Sequence, residues 1–517
     1  MIAKKYVLAL VSASGAAAAF AALTLAAGIG RSVYLLPVIF LLPVCVFFQF
    51  KDKAFDCSPE TMMNEAPSVI GMMSVFLSSG GSFDNAVRDV AKNGPENISK
   101  IFSKIVLDAD CKAISDIKTA VISTTSSFPK ELSAFKRAMH IVVTAFETAD
   151  VKERAAMMKD AESIVLEGLR SIGETYSSSL NSPCMLIFGL GIMLPMILIS
   201  MLPMLTIGGS FAVSFIDSDM VSVIVLIGIP VIVGAVIFSL RGKNPFFKAE
   251  LNASDIRYIA PMVLVLPIYI VCTRYGFTSD IAISAGFIAA GLCTFMMIFP
   301  SIKKEKDRVR IEDVLKDSLF EIGNRLSMGE NFENAVRKVF SGRKDCRTLY
   351  DRIERELVLC RGDIESAIVL TMGGISEKLT GYYCEVYRAS RRDLRNAGRL
   401  ASSIAHQIQD QNTVRKDIEN KLKSTMDMMT GTSAIFAPVI LGMSIVMLGP
   451  ISEMTGHVFF ENIGLILAIY LVELAALIAF MSSNLMCRGK TVDVMARFSL
   501  MMPLALIVFL VCSSISV

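Results

Sequence analysis

The sequence lacks the loops by which proteins bind nucleotides. Its 517 residues contain no G-x-x-x-x-G-K-[ST] phosphate loop, and no G-x-G-x-x-G segment stands between a strand and a helix. Both motifs cradle phosphate groups with backbone amides at a helix N-terminus. The sequence therefore predicts a protein that does not hydrolyse nucleotides itself, so that energy for any mechanical work would come from a partner.

Metal and redox motifs are missing as well. The three histidines, His140, His406 and His457, are scattered, and none has a second ligand at metal spacing. The eleven cysteines include no C-x-x-C pair, and several, such as Cys272 and Cys512, lie in apolar runs where a thiol behaves as a small hydrophobic group. We predict no metal, no cofactor, no catalytic residues, no disulfides and no nucleic-acid partner.

Charged residues are scarce and occur in blocks. They make up 19% of the chain, against about 25% in soluble domains, while hydrophobic residues make up 53% and the mean hydropathy is +0.56. The first apolar run follows Lys4 and Lys5 like a secretory signal, but it is too long for one, and a second run follows at once. Nine runs approach or exceed the length that crosses a bilayer: Tyr6 to Gly30, Val33 to Phe50, Met185 to Ile207, Val221 to Leu240, Ile259 to Arg274, Ile281 to Phe299, Ser433 to Leu448, Ile463 to Met481 and Phe498 to Ile515.

The positions of Lys and Arg predict how these spans are oriented, because short cytoplasmic loops retain basic residues. The loops that hold Lys243 and Lys490 are basic and are expected inside, whereas the loops that hold Asp217 and Glu453 carry no Lys or Arg and are expected outside. Nine crossings of the cell membrane then place the N-terminus inside and the C-terminus outside. The predicted domains are a transmembrane hairpin (1–50), a cytoplasmic helical bundle (51–182), four spans (183–299), a second cytoplasmic bundle (300–432) and three spans (433–517).

One segment occurs twice. Leu77 to Val90 reappears 249 residues later as Leu326 to Val339, with nine residue types matching in place. Solenoid units are no longer than roughly 50 residues, so this period indicates a duplicated domain. Each copy has four spans, an even number, which predicts parallel copies about an axis near the membrane normal. The motif residues are Leu77, Gly80, Phe83, Asn85 and Ala86 in the first copy and Leu326, Gly329, Phe332, Asn334 and Ala335 in the second.

The motif predicts a helix end, a turn and a short amphipathic helix. Gly80 or Gly329 can end one helix in the left-handed conformation, and Ser82 or Asn331 can cap the next. The apolar residues that follow recur at i, i+3, i+4 and i+7, which is typical of one buried helix face. The later stretches Lys130 to Glu147, Lys152 to Leu180, Lys378 to Arg395 and Gly398 to Met429 share this period. We therefore predict an all-α polytopic membrane protein with two homologous cytoplasmic bundles.

The repeated L-S-x-G-x-x-F-x-N-A-V motif resembles that of the F-domain platform proteins of type II secretion and type IV pilus systems. Asn396 to Ala405 resembles the family's turn into the last bundle helix, with Gly398 and Leu400 on matching positions. The first copy departs from this pattern, since Ala149 to Arg154 has no glycine and an equivalent turn there is in doubt. Nine spans resemble the archaeal form of the family.

The resemblance implies a membrane platform that couples a secretion-type hexameric ATPase to the extraction of pilin-like subunits from the bilayer. The filament would be an archaellum, an adhesion pilus or a pseudopilus, and the duplication lets a monomer supply what shorter relatives would supply as a homodimer. A secondary transporter with parallel repeats is the alternative, although it would need polar groups that converge on a midplane site.

A basic stripe marks the second bundle. Its residues recur at helical spacings of three and four, and the stripe is interpreted either as a solvated or lipid-facing surface or as a docking surface for an acidic face of the ATPase. The stripe consists of Arg388, Arg391, Arg392, Arg395 and Arg399.

Glu473 is the one carboxylate near the middle of a predicted span. A charge at that depth costs about 2.5–3.5 kcal/mol, so we expect the side chain to face protein and to be protonated or paired. Three roles remain open: a hydrogen bond to a residue such as Ser444, contact with a filament subunit, and proton relay.

Overall fold

The computed structural model describes residues 59–78, 81–114, 116–207, 224–241, 253–455, 463–485 and 491–514. All regular secondary structure in these ranges is helical, and none of it is a strand. Five described helices are long and apolar enough to cross a membrane. The prediction of an all-α membrane protein is therefore confirmed.

The chain divides into two compact units. Cys57–Glu174 and Lys303–Ile418, the first and second blocks, together form one of them, which we call the polar unit. Thr175–Ile302 and Glu419–Val517 belong to the other, which we call the apolar unit. Each unit thus combines segments that are distant in sequence.

The first block begins with α1 (Pro59–Ser78), whose last residues carry the repeated motif. A β-region backbone at Ser82 separates it from the next helix, and Pro129 precedes a short 3₁₀ turn, Lys130–Leu132. The remaining helices are α2 (Phe83–Asn93), α3 (Glu96–Asp110), α4 (Ile117–Ser126), α5 (Ser133–Glu147) and α6 (Val151–Ser179).

The apolar segment that follows is helical with two π-helical turns. Its elements are α7 (Asn181–Phe188), a π turn (Gly189–Met193), α8 (Leu194–Ile207), a second π turn (Ile224–Gly228), α9 (Ile229–Arg241), a 3₁₀ segment (Ala253–Leu264), α10 (Val265–Arg274) and the start of α11 (Ser279–Ser327). The π turns each widen the helix by one residue, a local change often found at functional sites.

The second block repeats the order of the first. The end of α11 carries the second copy of the motif and is followed by α12 (Phe332–Gly342), α13 (Lys344–Leu359), α14 (Ile364–Met372), α15 (Glu377–Ser390) and α16 (Leu394–Gly431). The apolar unit then resumes with a π turn (Thr432–Phe436), α17 (Ala437–Thr455), α18 (Ile463–Leu485) and α19 (Thr491–Ser513). Corresponding helices of the two blocks have similar lengths: α2 and α12 have 11 residues each, and α5 and α15 have 15 and 14.

The repeated motif adopts the predicted conformation where it is described. Gly329 has a φ of +92° at the end of α11, as expected for a left-handed helix terminus. The Ser82 hydroxyl accepts the Asn85 amide at 3.4 Å and so caps α2. The prediction for Asn331 is wrong, because its side chain makes no capping bond although its backbone occupies the cap position. Gly80 lies outside the described residues.

The apolar stripes that follow the motif are buried. Phe83, Ala86, Val87 and Val90 belong to the core of the first block, and Phe332, Ala335, Val336 and Val339 belong to that of the second. Each motif phenylalanine packs against an aromatic ring of the fifth helix of its block: Phe83 lies 5.2 Å from Phe146, and Phe332 lies 5.3 Å from Tyr387, between ring centroids. The prediction of one buried face is confirmed for both copies.

The predicted spans map onto the apolar elements as follows. Five coincide with the long helices of spanning character, and two, 221–240 and 259–274, contain the shorter apolar helices Ile224–Ile237 and Ala260–Arg274. The runs 6–30 and 33–50 lie outside the described residues. Of the five long apolar helices, the one that contains Glu473 is the most enclosed, with 83% of its apolar part buried.

Candidate partner-binding surface

The five predicted arginines do not lie along one helix. α15 ends at Ser390 and α16 begins at Leu394, so Arg388 lies on α15, Arg391 and Arg392 lie in the turn, and Arg395 and Arg399 lie on α16. The predicted continuous stripe is therefore wrong. The turn forms because Asp393 caps α16: its Oδ1 accepts the amides of Arg395 at 2.9 Å and Asn396 at 3.4 Å.

Arg388 is engaged within the polar unit. Its guanidinium donates a hydrogen bond to Glu365, in the first turn of α14, and forms an ion pair with it. This hydrogen bond is the main reason why the pKa of Arg388 is raised. The charge of Arg388 also acts on Asp89 of the first block. Arg388 consequently helps to join the helices of the polar unit and is not a free docking group.

The other four arginines form what we call the arginine turn: Arg391, Arg392, Arg395 and Arg399. All four side chains are exposed, and none forms an ion pair with another described residue. The Ser366 hydroxyl, with a smaller contribution from Arg391, lowers the pKa of the nearby Asp363. Guanidinium groups bind carboxylates and phosphates through paired hydrogen bonds, so an exposed group of four suits an anionic partner.

The first block has the same turn with a different charge. α5 ends at Glu147 and α6 begins at Val151, and Asp150 Oδ1 accepts the amide of Lys152 at 2.9 Å. The doubt about a turn at this place was therefore unfounded. Acidic and basic side chains alternate here, and the guanidinium of Arg154 is turned back onto the Ala149 carbonyl at 3.2 Å. The backbone geometry is shared, whereas the arginine group occurs in the second block alone.

Gly398 has a role that differs from the predicted one. The stretch from Asn396 to Ala405 lies wholly within α16, so this glycine does not form a turn. A Cβ at Gly398 would lie 2.2 Å from the Ser327 Oγ, 2.6 Å from the Ser327 amide nitrogen and 2.7 Å from the Gly323 carbonyl oxygen. Gly398 and Gly323 thus allow the backbones of α16 and α11 to touch, which positions the start of α16 and the arginine turn beside it.

The motif residues provide the fold beneath this surface. Leu77, Ala86, Leu326 and Ala335 are buried like the two motif phenylalanines. Asn85 and Asn334 are exposed and take no part in the core. The apolar residues that both copies of the motif share therefore position the helices.

Two further pairs of matching features were missed from the sequence. Lys112 and Arg361 both have left-handed backbones, with φ of 57° and 54°, and both follow a cysteine 249 residues apart. Asp116 and Asp363 both cap the fourth helix of their blocks, each accepting the amide two residues later at 3.2 Å. Both aspartates begin a D-I-x-[ST]-A sequence, and this shared pattern could have identified the two helix caps.

Two partly buried carboxyl groups each interact with a charged residue of the other block. Burial raises the pKa of Glu162 on α6 to about 7, aided by Asp410 and opposed by a hydrogen bond from Ser74. Burial also raises the pKa of Glu385 on α15 to about 7, aided by Asp89 of the first block. Both carboxyls act on the partly buried Tyr382 side chain, and its removal from solvent raises the pKa of Tyr382 to about 12.

Because of these two carboxyl groups, we expect the free energy of unfolding of the polar unit to fall as the pH rises. The folded pKa of about 7 exceeds the ordinary value of 4.5, so between these values the folded state holds protons that the unfolded state has released. Stability should be highest below about pH 4.5 and fall until about pH 7, on the order of 1 kcal/mol per carboxyl after discounting for partial exposure.

Circular dichroism melts of the detergent-solubilised chain at pH 5.5 and pH 8 would measure this effect. The double variant Glu162→Gln/Glu385→Gln should melt at nearly the same temperature at both pH values. Glu333→Gln, at an exposed position of α12, is the matched control and should keep the pH dependence of the parent. An equally steep pH dependence in the double variant would assign the effect to other groups.

Glu473 is placed inside the apolar unit and is 2% exposed. Neither of its carboxylate oxygens has a hydrogen-bond partner among the described residues. A hydrogen bond from Glu473 to a residue such as Ser444, one of the three roles left open, is therefore not formed among the described residues, and the Ser444 hydroxyl donates to the Ile440 carbonyl at 2.9 Å. The described residues also contain no group of His, Cys, Asp and Glu that could hold a metal ion.

Comparisons of the chain with protein-family models, with curated proteins and with solved structures found no match.

Proposed function

We propose that the chain is a membrane platform of the F-domain type, on which a cytoplasmic hexameric ATPase acts and from which pilin-like subunits are drawn into a filament. The observation that carries the proposal is the repeated construction of the polar unit. Both blocks contain the motif on which the sequence resemblance rests. They also share the order of their helices and a turn capped by an aspartate.

The proposal includes duplication of the membrane segments. Asp150 caps α6 and Asp393 caps α16, and a π turn begins 39 residues after each of them, at Gly189 and Thr432. This shared distance supports a repeat that extends from the blocks into the spans. On that basis we propose nine spans, with both blocks in the cytoplasm, the N-terminus inside and the C-terminus outside, as the distribution of Lys and Arg predicts.

The arginine turn is the proposed contact with the ATPase. Duplicated domains keep the residues that both copies need for folding, whereas a specialised contact is expected where the copies differ. The turn that both blocks share satisfies the first condition. The four guanidinium groups of the second block, which form no ion pair with a described residue, satisfy the second. An acidic face of a cytoplasmic partner would supply the carboxylates that these groups lack.

Purified protein is expected to hydrolyse no nucleotide and to change the hydrolysis rate of a secretion-type hexameric ATPase encoded beside it. The absence of a phosphate loop is the reason for the first expectation. Phosphate release from ATP would be measured for the chain in lipid nanodiscs, for the ATPase, and for the two together.

The control for this measurement is an unrelated polytopic protein in the same nanodiscs at the same lipid concentration. Hydrolysis by the chain alone, after removal of contaminating ATPases, would contradict the platform function. An ATPase rate that responds equally to the control protein would remove the case for a specific partner.

A further inference from the structure

The carboxyl group of Glu473 is enclosed without a counter-charge. The side chain is 2% exposed, and both oxygens are inaccessible and unbonded among the described residues. An ionised carboxylate in such a place would lose its hydration without gaining hydrogen bonds, which costs several kcal/mol or more. Taking up a proton removes most of that cost.

The π turn Gly189–Met193 lies against α18 beside Glu473, and two further π turns, Ile224–Gly228 and Thr432–Phe436, also contact α18. The Tyr470 hydroxyl, one turn before Glu473, donates to the carbonyl of Gly191 in the first of them. A Cβ at Gly191 would lie 3.3 Å from Leu474, the residue after Glu473. Phe188 directly precedes this π turn, and its ring centroid lies 5.8 Å from that of Phe436. Phe436 is the last residue of the π turn Thr432–Phe436, which also contacts α18.

The charged groups of the surrounding elements are engaged elsewhere or lie at helix ends. Arg497 of α19 donates to Ser482 at 2.6 Å, nine residues after Glu473 and therefore about 13 Å further along the helix. The π turns contain no ionisable residue. The other titratable or charged residues on elements that contact α18 are Arg241 on α9, Asp280 and Cys293 on α11, Glu453 on α17, and Asp493 and Cys512 on α19; the remaining charged residues of α11 follow Ile302, where the polar unit begins.

We propose that Glu473 is an intramembrane proton-binding site, in which the carboxyl group is held as the neutral acid inside the apolar unit, beside the π turn Gly189–Met193. The site is built from one acid whose oxygens have no partner among the described residues and from an adjacent π turn, a local widening of the helix that is frequent at functional sites. The inference does not depend on the filament-platform proposal, because a proton site would serve any movement of these helices. A monovalent cation is the competing occupant.

Infrared spectroscopy of the full chain in nanodiscs tests the proposal. A neutral acid has a carbonyl band that an ionised carboxylate lacks. Glu162 and Glu385, with pKa values of about 7, should lose their bands between pH 6 and pH 8, whereas the Glu473 band should persist at pH 8 and disappear in Glu473→Gln. The matched control is Asp280→Asn on α11, whose carboxyl group lies beside Gly464 at the start of α18, and this variant should leave the band unchanged. If only carboxylate bands change in Glu473→Gln, the proposal is wrong.

A chemical measurement on the unmutated chain covers the case in which Glu473→Gln fails to fold. A hydrophobic carbodiimide adds across the acid: its nitrogen takes the acid proton, its central carbon bonds to the carboxyl oxygen, and the adduct rearranges without losing an atom. Peptide mass spectrometry should locate this adduct at Glu473 at pH 6, with less than a twofold change on replacing choline chloride by sodium chloride. Strong protection by sodium would identify a cation site and overturn the proton assignment.

Discussion

Replacing Gly398 by valine is expected to separate α16 from α11 and to unfold the second block locally. Even a single methyl group would lie 2.6 Å from the Ser327 nitrogen and 2.7 Å from the Gly323 oxygen, and backbone atoms of a packed helix cannot rotate away. The reverse contact is also close, since a Cβ at Gly323 would lie 3.0 Å from the Gly398 oxygen. We expect a loss of about 3 kcal/mol, at the upper end of overpacking effects.

Hydrogen exchange of the full chain, followed by peptide mass spectrometry, would locate this loss. Amides of residues 315–327 and 394–408 should exchange faster, by roughly two powers of ten for 3 kcal/mol. Gly381→Ala is the matched control, because Gly381 lies in α15 with no atom within 4 Å of its would-be Cβ. The control should be neutral or stabilising by up to about 1 kcal/mol. Unaltered exchange in the valine variant would mean that the two helices do not touch there.

The sequence predicted the parts of the fold that depend on local periodicity. The stripes that begin at Phe83 and Phe332 were identifiable because a buried helix face repeats apolar residues at fixed intervals. The left-handed end at Gly329 was identifiable because glycine adopts that conformation without steric cost. These features are set by neighbouring residues, which a single sequence displays directly.

The errors have a different physical origin. The turn after Ser390 was missed because Arg391 and Arg392 are not turn-forming residues, although Asp393 in front of an apolar helix was a usable cap signal. Gly398 was assigned to a turn because a glycine in a turn and a glycine at a helix crossing look alike until the partner helix is known. The surroundings of Glu473 depend on segments 279 residues apart in the chain, such as Gly191 and Tyr470, and no local pattern reports them.

Charge reversal of the arginine turn is expected to abolish filament assembly and to weaken binding of the ATPase by at least tenfold at low salt. The variant is Arg391→Glu/Arg392→Glu/Arg395→Glu. All three side chains are exposed and without ion pairs among the described residues, so folding should change by less than about 0.5 kcal/mol. A docking contact would instead place glutamates against an acidic surface, and that repulsion should weaken as salt screens it.

Binding of the ATPase to nanodisc-embedded chain would be measured by surface plasmon resonance at 50 mM and 500 mM salt. Arg347→Glu/Arg352→Glu/Arg355→Glu, on exposed positions of α13, is the matched control because it changes the net charge by the same amount within the same block. Equal losses in both variants would show that net charge decides binding and that the turn has no special role.

Unchanged ATPase binding combined with weaker binding to anionic phosphatidylglycerol vesicles would assign the arginines to the lipid surface. A selective, salt-dependent loss in the turn variant is the one outcome that only the docking contact explains, since a solvated helix face would tolerate the reversal and a lipid contact would not involve the ATPase.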